Sequence, residues 1–289
     1  MNYRHHFHAG NFADVMKHAL LVRLVRALQK KEKGFLYLDT HAGRGGYDLD
    51  AAATGDSQAR RPEWPEGIGR VQARTDVPAD LAEYVGLVRE HDRRQGNIAA
   101  GLRFYPGSPL LLRELARPQD RLVLCEKHPE EHDALERIMS LALRASVQLA
   151  DGYQALRAFL PPTERRALIL IDPPFESPTE FADLVRALRG AWERFPTGVF
   201  AVWYPLTERA RVDEFLLAVR DAKSPPALTA ELTVAGERSA IKMRGCGLLV
   251  LNPPWQFDVE ARSILAWLAP VLAQEPGGTG RVDWLVPAA

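Results

Sequence analysis

Ala167-Leu168-Ile169-Leu170-Ile171-Asp172-Pro173-Pro174-Phe175 is the stretch that decides the fold of this 289-residue chain. Five apolar residues in succession, without polar alternation, match a strand buried on both faces of a parallel sheet. An acid, two prolines and an aromatic ring follow at once. Asp172 therefore falls at the strand's carboxyl end, where open α/β sheets bind ligands. Each proline fixes its own φ and lacks an N–H, and Pro173 biases Asp172 towards extended backbone. The resulting turn is stiff and presents a carboxylate, backbone carbonyls and the face of Phe175.

Outward from this turn the chain alternates strands and helices. Phe35 to Leu38 reads as a first strand running into Asp39-Thr40-His41-Ala42-Gly43-Arg44-Gly45-Gly46. Arg121 to Cys125 is a second, ending in Glu126, and Ser146 to Leu149 a third, ending near Asp151-Gly152. Gly198 to Trp203 follows the Asp172 strand, and two late strands are predicted at Leu228 to Val234 and Gly247 to Leu251. Helical stretches separate them. The pattern predicts an α/β, Rossmann-like, doubly wound and mainly parallel sheet. Asn11 to Lys33 has helical periodicity and forms an N-terminal helical extension. Residues 51–101, rich in Arg, Pro, Gly and acids, read as an inserted helical subdomain. The main domain is then 1–50 plus 102–289, with 1–33 as a substrate-contacting segment. Gly277-Gly278-Thr279-Gly280 predicts a flexible connection before a short tail.

Lys+Arg and Asp+Glu are equal at 37 each, so any nucleic-acid site must be a local patch. In the opening segment Arg4, Lys17, Arg23, Arg26, Lys30, Lys31 and Lys33 read either as a solvated helix face or as a candidate patch for phosphate contact. Cys125 and Cys246, the only cysteines, each lie in an apolar run and read as buried free thiols. Met1 to His6 has no apolar signal region, and no stretch is long enough to span a membrane. A cytoplasmic monomer without a membrane or metal partner is expected. His5, His6, His8 and His18 crowd one end, but no Cys or second His pair completes a zinc site.

Four strand ends carry the chemistry. The glycines after the first let backbone approach a ligand closely. Glu126 is placed to accept hydrogen bonds from ribose hydroxyls, and Asp151-Gly152 to bind an adenine ring. Asp172-Pro173-Pro174-Phe175 completes the set. A base carrying an exocyclic amine would stack on Phe175 and donate N–H bonds to Asp172 and a proline carbonyl. That turn resembles the Asp/Asn-Pro-Pro-aromatic motif of amino-group methyltransferases. In this order the four point to an S-adenosylmethionine-dependent methyltransferase, with S-adenosylhomocysteine as product. Gly43-Arg44-Gly45-Gly46 lacks the G-x-G-x-x-G spacing of a dinucleotide-binding dehydrogenase. Asn252-Pro253-Pro254-Trp255 copies the catalytic pattern; because its strand comes later, it is given a supporting role farther out.

Asn2-Tyr3-Arg4-His5-His6-Phe7-His8-Ala9-Gly10-Asn11-Phe12-Ala13-Asp14-Val15-Met16-Lys17-His18 resembles the N-terminal signature of the bacterial RlmJ-type methyltransferases. The likeness continues through Leu38 to Gly45, Gly107-Ser108-Pro109, Glu126-Lys127-His128, Asp151-Gly152, Asp172 to Glu176 and Asn252 to Trp255. The resemblance implies methylation of N6 of one adenine in 23S ribosomal RNA. It implies donor contacts from His18, His41, Ser108, Glu126, Asp151 and Gly152. It puts Asp172 at the target amine and Tyr3 on substrate RNA, where Arg4 and Lys17 would join it. Phe175 stands where the wider class more often has tyrosine. The motifs alone leave open a DNA adenine-N6 methyltransferase and a non-catalytic RNA-binding protein.

Overall fold

The structure, a computed structural model, describes residues 7–54, 61–99 and 101–288. Tyr3, Arg4, His5, His6 and Arg60 lie outside the described residues. The elements run in chain order α1 (Phe12–Gln29), β1 (Leu36–Asp39), β2 (Gly46–Asp48), α2 (Leu49–Thr54), α3 (Ile68–Gln72) and α4 (Ala79–Arg94). Next come β3 (Phe104–Pro106), α5 (Ser108–Leu115), β4 (Arg121–Glu126), α6 (Pro129–Met139), β5 (Ala145–Leu149) and α7 (Gly152–Phe159). The chain continues with β6 (Ala167–Ile171), α8 (Glu180–Arg194), β7 (Val199–Pro205) and α9 (Arg209–Asp221). It ends with β8 (Ala227–Thr233), β9 (Gly245–Leu251), α10 (Phe257–Leu272) and β10 (Thr279–Val286).

Eight strands form one sheet in the order β10-β8-β9-β7-β6-β1-β4-β5. The five from β7 to β5 are parallel, as their unbroken apolar runs require. At the other end β9 pairs antiparallel with both β7 and β8, and β10 antiparallel with β8. Alternate side chains feed two cores. Tyr37, Leu168 and Leu170 face a layer that includes α1, α3 to α6 and α10. Leu36, Leu38, Ile169 and Ile171 face α7, α8 and α9. The sheet is thus covered on both faces, a doubly wound α/β architecture. Among the described residues no helix is long and apolar enough to cross a membrane.

Three features differ from the sequence-based expectation. The predicted tail after Gly277 is instead strand β10, held by a ladder from Thr279↔Thr233 to Val286↔Ala227. Its exposed, mixed-polarity residues hide it, because an edge strand needs only one partner. Residues Gly46–Asp48 and Phe104–Pro106, at either end of the predicted insertion, pair as a small two-stranded sheet. Helix α1 has no broad solvent face: it is buried at most positions, from Phe12 to Leu28. Helices α4, α5 and α10 pack around it, and Ile68, Val71, Tyr84 and Val88 join its core. Asn11 starts α1 by accepting the N–H groups of Ala13 and Asp14, each at 3.0 Å.

Candidate active site

The carboxyl ends of β1, β4, β5, β6 and β7 share one edge of the sheet, and a cleft of about 1680 Å³ opens there. His18, His41, Ser108, Glu126, Asp151, Gly152 and all of Asp172 to Phe175 line it, together with Lys17. Residues from six separate elements and their loops therefore meet at one place.

On the β1–β4 side the carboxylates are held by the backbone. Glu126 accepts the Gly43 N–H through Oε2 at 2.9 Å and the His128 N–H through Oε1 at 2.7 Å. Each oxygen keeps a second lone pair for a hydroxyl. Gly43 reaches this position with φ +60, where a Cβ would lie 2.9 Å from Tyr47 Oη. Asp151 caps α7, accepting from Tyr153 and Gln154 N–H, and receives Lys127 Nζ at 3.1 Å. Burial would raise its pKa, but Lys127 and the helix N–H groups hold it below the usual carboxylate range. A Cβ on Gly152 would sit 2.3 Å from the Thr40 carbonyl oxygen. Only glycine lets α7 begin this close to the loop after β1.

Sequence reasoning passed over Asp39, which is fully buried at the end of β1. It accepts Ser108 Oγ at 2.7 Å and Tyr37 Oη at 3.0 Å, and burial pushes its pKa up to about 6. Asp39 thereby fixes the Ser108 hydroxyl. His41 has Nδ1 2.8 Å from Thr40 Oγ1, and burial lowers its pKa to about 4, so it is neutral at pH 7. His18 Nδ1 lies 2.7 Å from Tyr105 Oη, which lies 3.0 Å from Tyr84 Oη on α4. The chain of three ties the cleft wall to the segment between β2 and β3. No sequence signal announces it, because Tyr84 and Tyr105 look like ordinary core aromatics.

On the β6 side, Lys17 departs from the phosphate-contacting role expected of it. Its Nζ is buried, 2.5 Å from Asp172 Oδ2 and 2.9 Å from Asp14 Oδ1. Burial alone would lower its pKa, but Asp14 and Asp172 together hold it well above the usual lysine value. Asp14 is fixed in turn by the Gly10 N–H at 3.0 Å. Arg23 and Arg26 are engaged too, with Glu260 and Glu83. The cations of α1 thus have internal partners that lie far away in sequence. Phe175 adopts φ +50, and its ring centroid lies 4.9 Å from that of Phe181 and 5.8 Å from that of Trp203.

Asn252-Pro253-Pro254-Trp255 lies at the opposite edge of the sheet. Its strand, β9, runs antiparallel to β7 and ends with Leu251 opposite Phe200, near the start of β7. Asn252, at φ +52, donates through Nδ2 to the carbonyls of Pro196 and Gly198, both at 2.8 Å. The supporting role expected of this turn fits the geometry, but the reason is strand direction and not distance along the sheet.

Residues 32–286 match the family described as Ribosomal RNA large subunit methyltransferase D, RlmJ. The chain belongs to this family. It is 41% identical over 289 residues to Ribosomal RNA large subunit methyltransferase J of Escherichia coli K12, covering 99% of both chains. It is 38% identical over 287 residues to the Haemophilus influenzae protein of the same name, again covering 99% of both. Among solved structures, protein LPL1258 from Legionella pneumophila superposes with a TM-score of 0.84 at 37% identity, covering 96% of this chain and 98% of that one. The cofactor of this methyltransferase is S-adenosyl-L-methionine. The cleft has room for it, and Glu126, Asp151 and Gly152 line its β4–β5 side.

Proposed function

We propose that the protein methylates N6 of an adenine in 23S ribosomal RNA, with the target base flipped out and stacked at the Asp172–Phe175 turn. The names of the two bacterial relatives support a ribosomal RNA substrate. The target atom is argued from the site. One observation carries it: Lys17 takes Asp172 Oδ2, while Oδ1 has no partner among the described residues, and Asp172 lines the cleft with Phe175.

An adenine amine is a weak nucleophile because its lone pair is delocalised into the ring. Acceptors on both of its hydrogens favour a pyramidal nitrogen and localise that pair. Asp172 Oδ1 supplies one acceptor and a proline carbonyl of the turn the other. Lys17 fixes the rotation of the carboxylate and offsets its charge, so the acceptor is aimed before substrate arrives. Phe175 supplies the stacking face, with Phe181 and Trp203 behind it. Such stacking is worth about 1–3 kcal/mol per base, against an unstacking cost of a few kcal/mol. The balance favours a single-stranded or mismatched target. Glu126 would hold the donor's ribose, Asp151 and Gly152 its adenine, and Ser108, His18 and His41 the rest. When bound, the donor supplies a methyl group activated by a sulfonium. Residues 51–101 would act as an inserted subdomain, of which α4 packs on α1 and, through Tyr84, braces the wall at His18.

Tritiated methyl transfer to protein-free 23S RNA, to DNA and to total protein, followed by digestion to nucleosides, tests the reading. Label is expected in RNA as N6-methyladenosine. Label confined to DNA or protein, or found in another nucleoside, overturns it.

A further inference from the structure

Among the described residues six Lys and Arg side chains line the cleft, and four of them have a carboxylate partner. Lys17 holds Asp172, Arg44 holds Glu131, Lys127 holds Asp151 and Arg186 holds Asp183. A polyanion therefore gains little from them. Among the described residues, Arg157 and Lys242 are the two lining cations with no ion pair or side-chain hydrogen bond. Arg157 is on α7, at the donor end. Lys242 is on the loop between β8 and β9.

That loop is basic. Glu237-Arg238-Ser239-Ala240-Ile241-Lys242-Met243-Arg244 carries three cations and one acid. The sheet sets its position. Thr233, at the end of β8, pairs with Gly245, and Cys246 pairs with Pro205 at the carboxyl end of β7. The loop therefore stands beside β7 on the cleft edge, with Ile241, Lys242 and Met243 in the wall near Trp203. The residues assigned to the donor lie on the other side, beyond β6.

The loop is built to hold a shape. Arg244 donates to the Glu237 carbonyl, Ser239 Oγ accepts the Ile241 N–H at 3.0 Å, and Gly236 N–H reaches the Pro276 carbonyl at 3.1 Å. Met243 packs against the main core. Arg238 and Lys242 are left exposed, and neither has a side-chain partner among the described residues. Cations on a braced loop lose less freedom on binding than cations on a slack one.

We propose that the β8–β9 loop grips the phosphates of the RNA strand next to the flipped base, through Arg238 and Lys242, with Arg244 bracing the loop. The proposal rests on the RNA reading above. It gives the phosphate-contacting role to a segment that lies more than 200 residues from the basic opening helix.

The test uses a protein-free 23S RNA transcript and the whole protein, with wild type compared to Arg238→Gln/Lys242→Gln across a salt series. Two lost contacts should reduce the slope of log K against log salt by roughly 1.4, or about 25-fold in affinity at 0.1 M salt if the curves meet at 1 M. Affinity for S-adenosylhomocysteine should not change. Arg157→Gln should leave the slope nearly intact. A wild-type slope in the double variant, with the wild type methylating the same transcript, overturns the proposal; so does a loss carried by Arg157→Gln in its place. If the wild type neither binds nor methylates the transcript, the RNA reading itself falls and takes this proposal with it.

Discussion

Replacing Lys17 with methionine keeps the length and apolar stem of the side chain and removes only its charge and donors. In the wild type the ammonium lies 2.9 Å from Asp14 and 2.5 Å from Asp172. The two acids are not equally affected by its loss. The Asp14 side chain is 3% exposed and cannot turn to water, whereas Asp172 is 19% exposed and opens on the cleft. Removing one partner of a buried ion pair costs about 3–5 kcal/mol, mostly through the charge left behind. Most of that cost should therefore trace to Asp14. A second substitution separates the two acids. Asp14→Asn keeps an acceptor for the Gly10 N–H but removes the charge. The double variant Lys17→Met/Asp14→Asn should therefore be more stable than Lys17→Met alone, with a coupling of about 1–3 kcal/mol.

Urea unfolding midpoints at constant m-value measure both quantities. The sign of the pH dependence is also set. A lysine whose folded pKa is raised contributes stability in full below its ordinary value of 10.5 and loses it as pH rises through the higher folded value. The gap between wild type and Lys17→Met should thus be flat from pH 6 to 9 and close only in strong alkali. A Lys17→Met protein within about 1 kcal/mol of wild type would refute the reasoning, because the loss of a buried ammonium between two carboxylates could not cost so little.

Asp39 should act with the same sign but in the acid range. Burial raises its folded pKa from 3.8 to about 6, so the folded state holds the proton more tightly and stability falls as pH rises from about 4 to 6. The loss is about 3 kcal/mol, and Asp39→Asn should flatten that slope in urea midpoints; an unchanged slope would place the titration elsewhere. Glu126→Ala should weaken S-adenosylhomocysteine binding by about 1–3 kcal/mol in calorimetry, and equal affinity would leave Glu126 only its bonds to Gly43 and His128. Asp172→Ala should abolish methyl transfer while donor binding survives. Asn252→Ala should lose about 1–2 kcal/mol of stability, through two carbonyl bonds and a φ of +52, yet keep turnover; the reverse pair of results would show that the wrong turn was chosen.

The two Pro-Pro turns show where sequence reading stops. Strands buried on both faces announce themselves as unbroken apolar runs, so β1, β4, β6 and β7 are legible locally, as are Glu126 at the end of β4 and Asp172 just after β6. The direction of a strand is not. Gly245–Leu251 is as apolar as Ala167–Ile171, yet it enters the sheet antiparallel and delivers Asn252 to the far edge. Order along the chain predicts that Asn252 lies farther out, but it does not reveal that strand direction puts the two turns on opposite edges. The opening helix fails in a related way. Its periodicity is correct, but the acids that take up Arg26, Lys17 and Arg23 lie 57, 155 and 237 residues further on, so its cations look free. Charge pairing across such separations depends on topology, and topology depends on strand order and direction. A basic stretch in a sequence therefore marks a phosphate site only after its internal partners have been subtracted. At this cleft, among the described residues, that subtraction removes Lys17, Arg44, Lys127 and Arg186 and leaves Arg157 and Lys242, the second on a loop with Arg238 that local patterning does not single out.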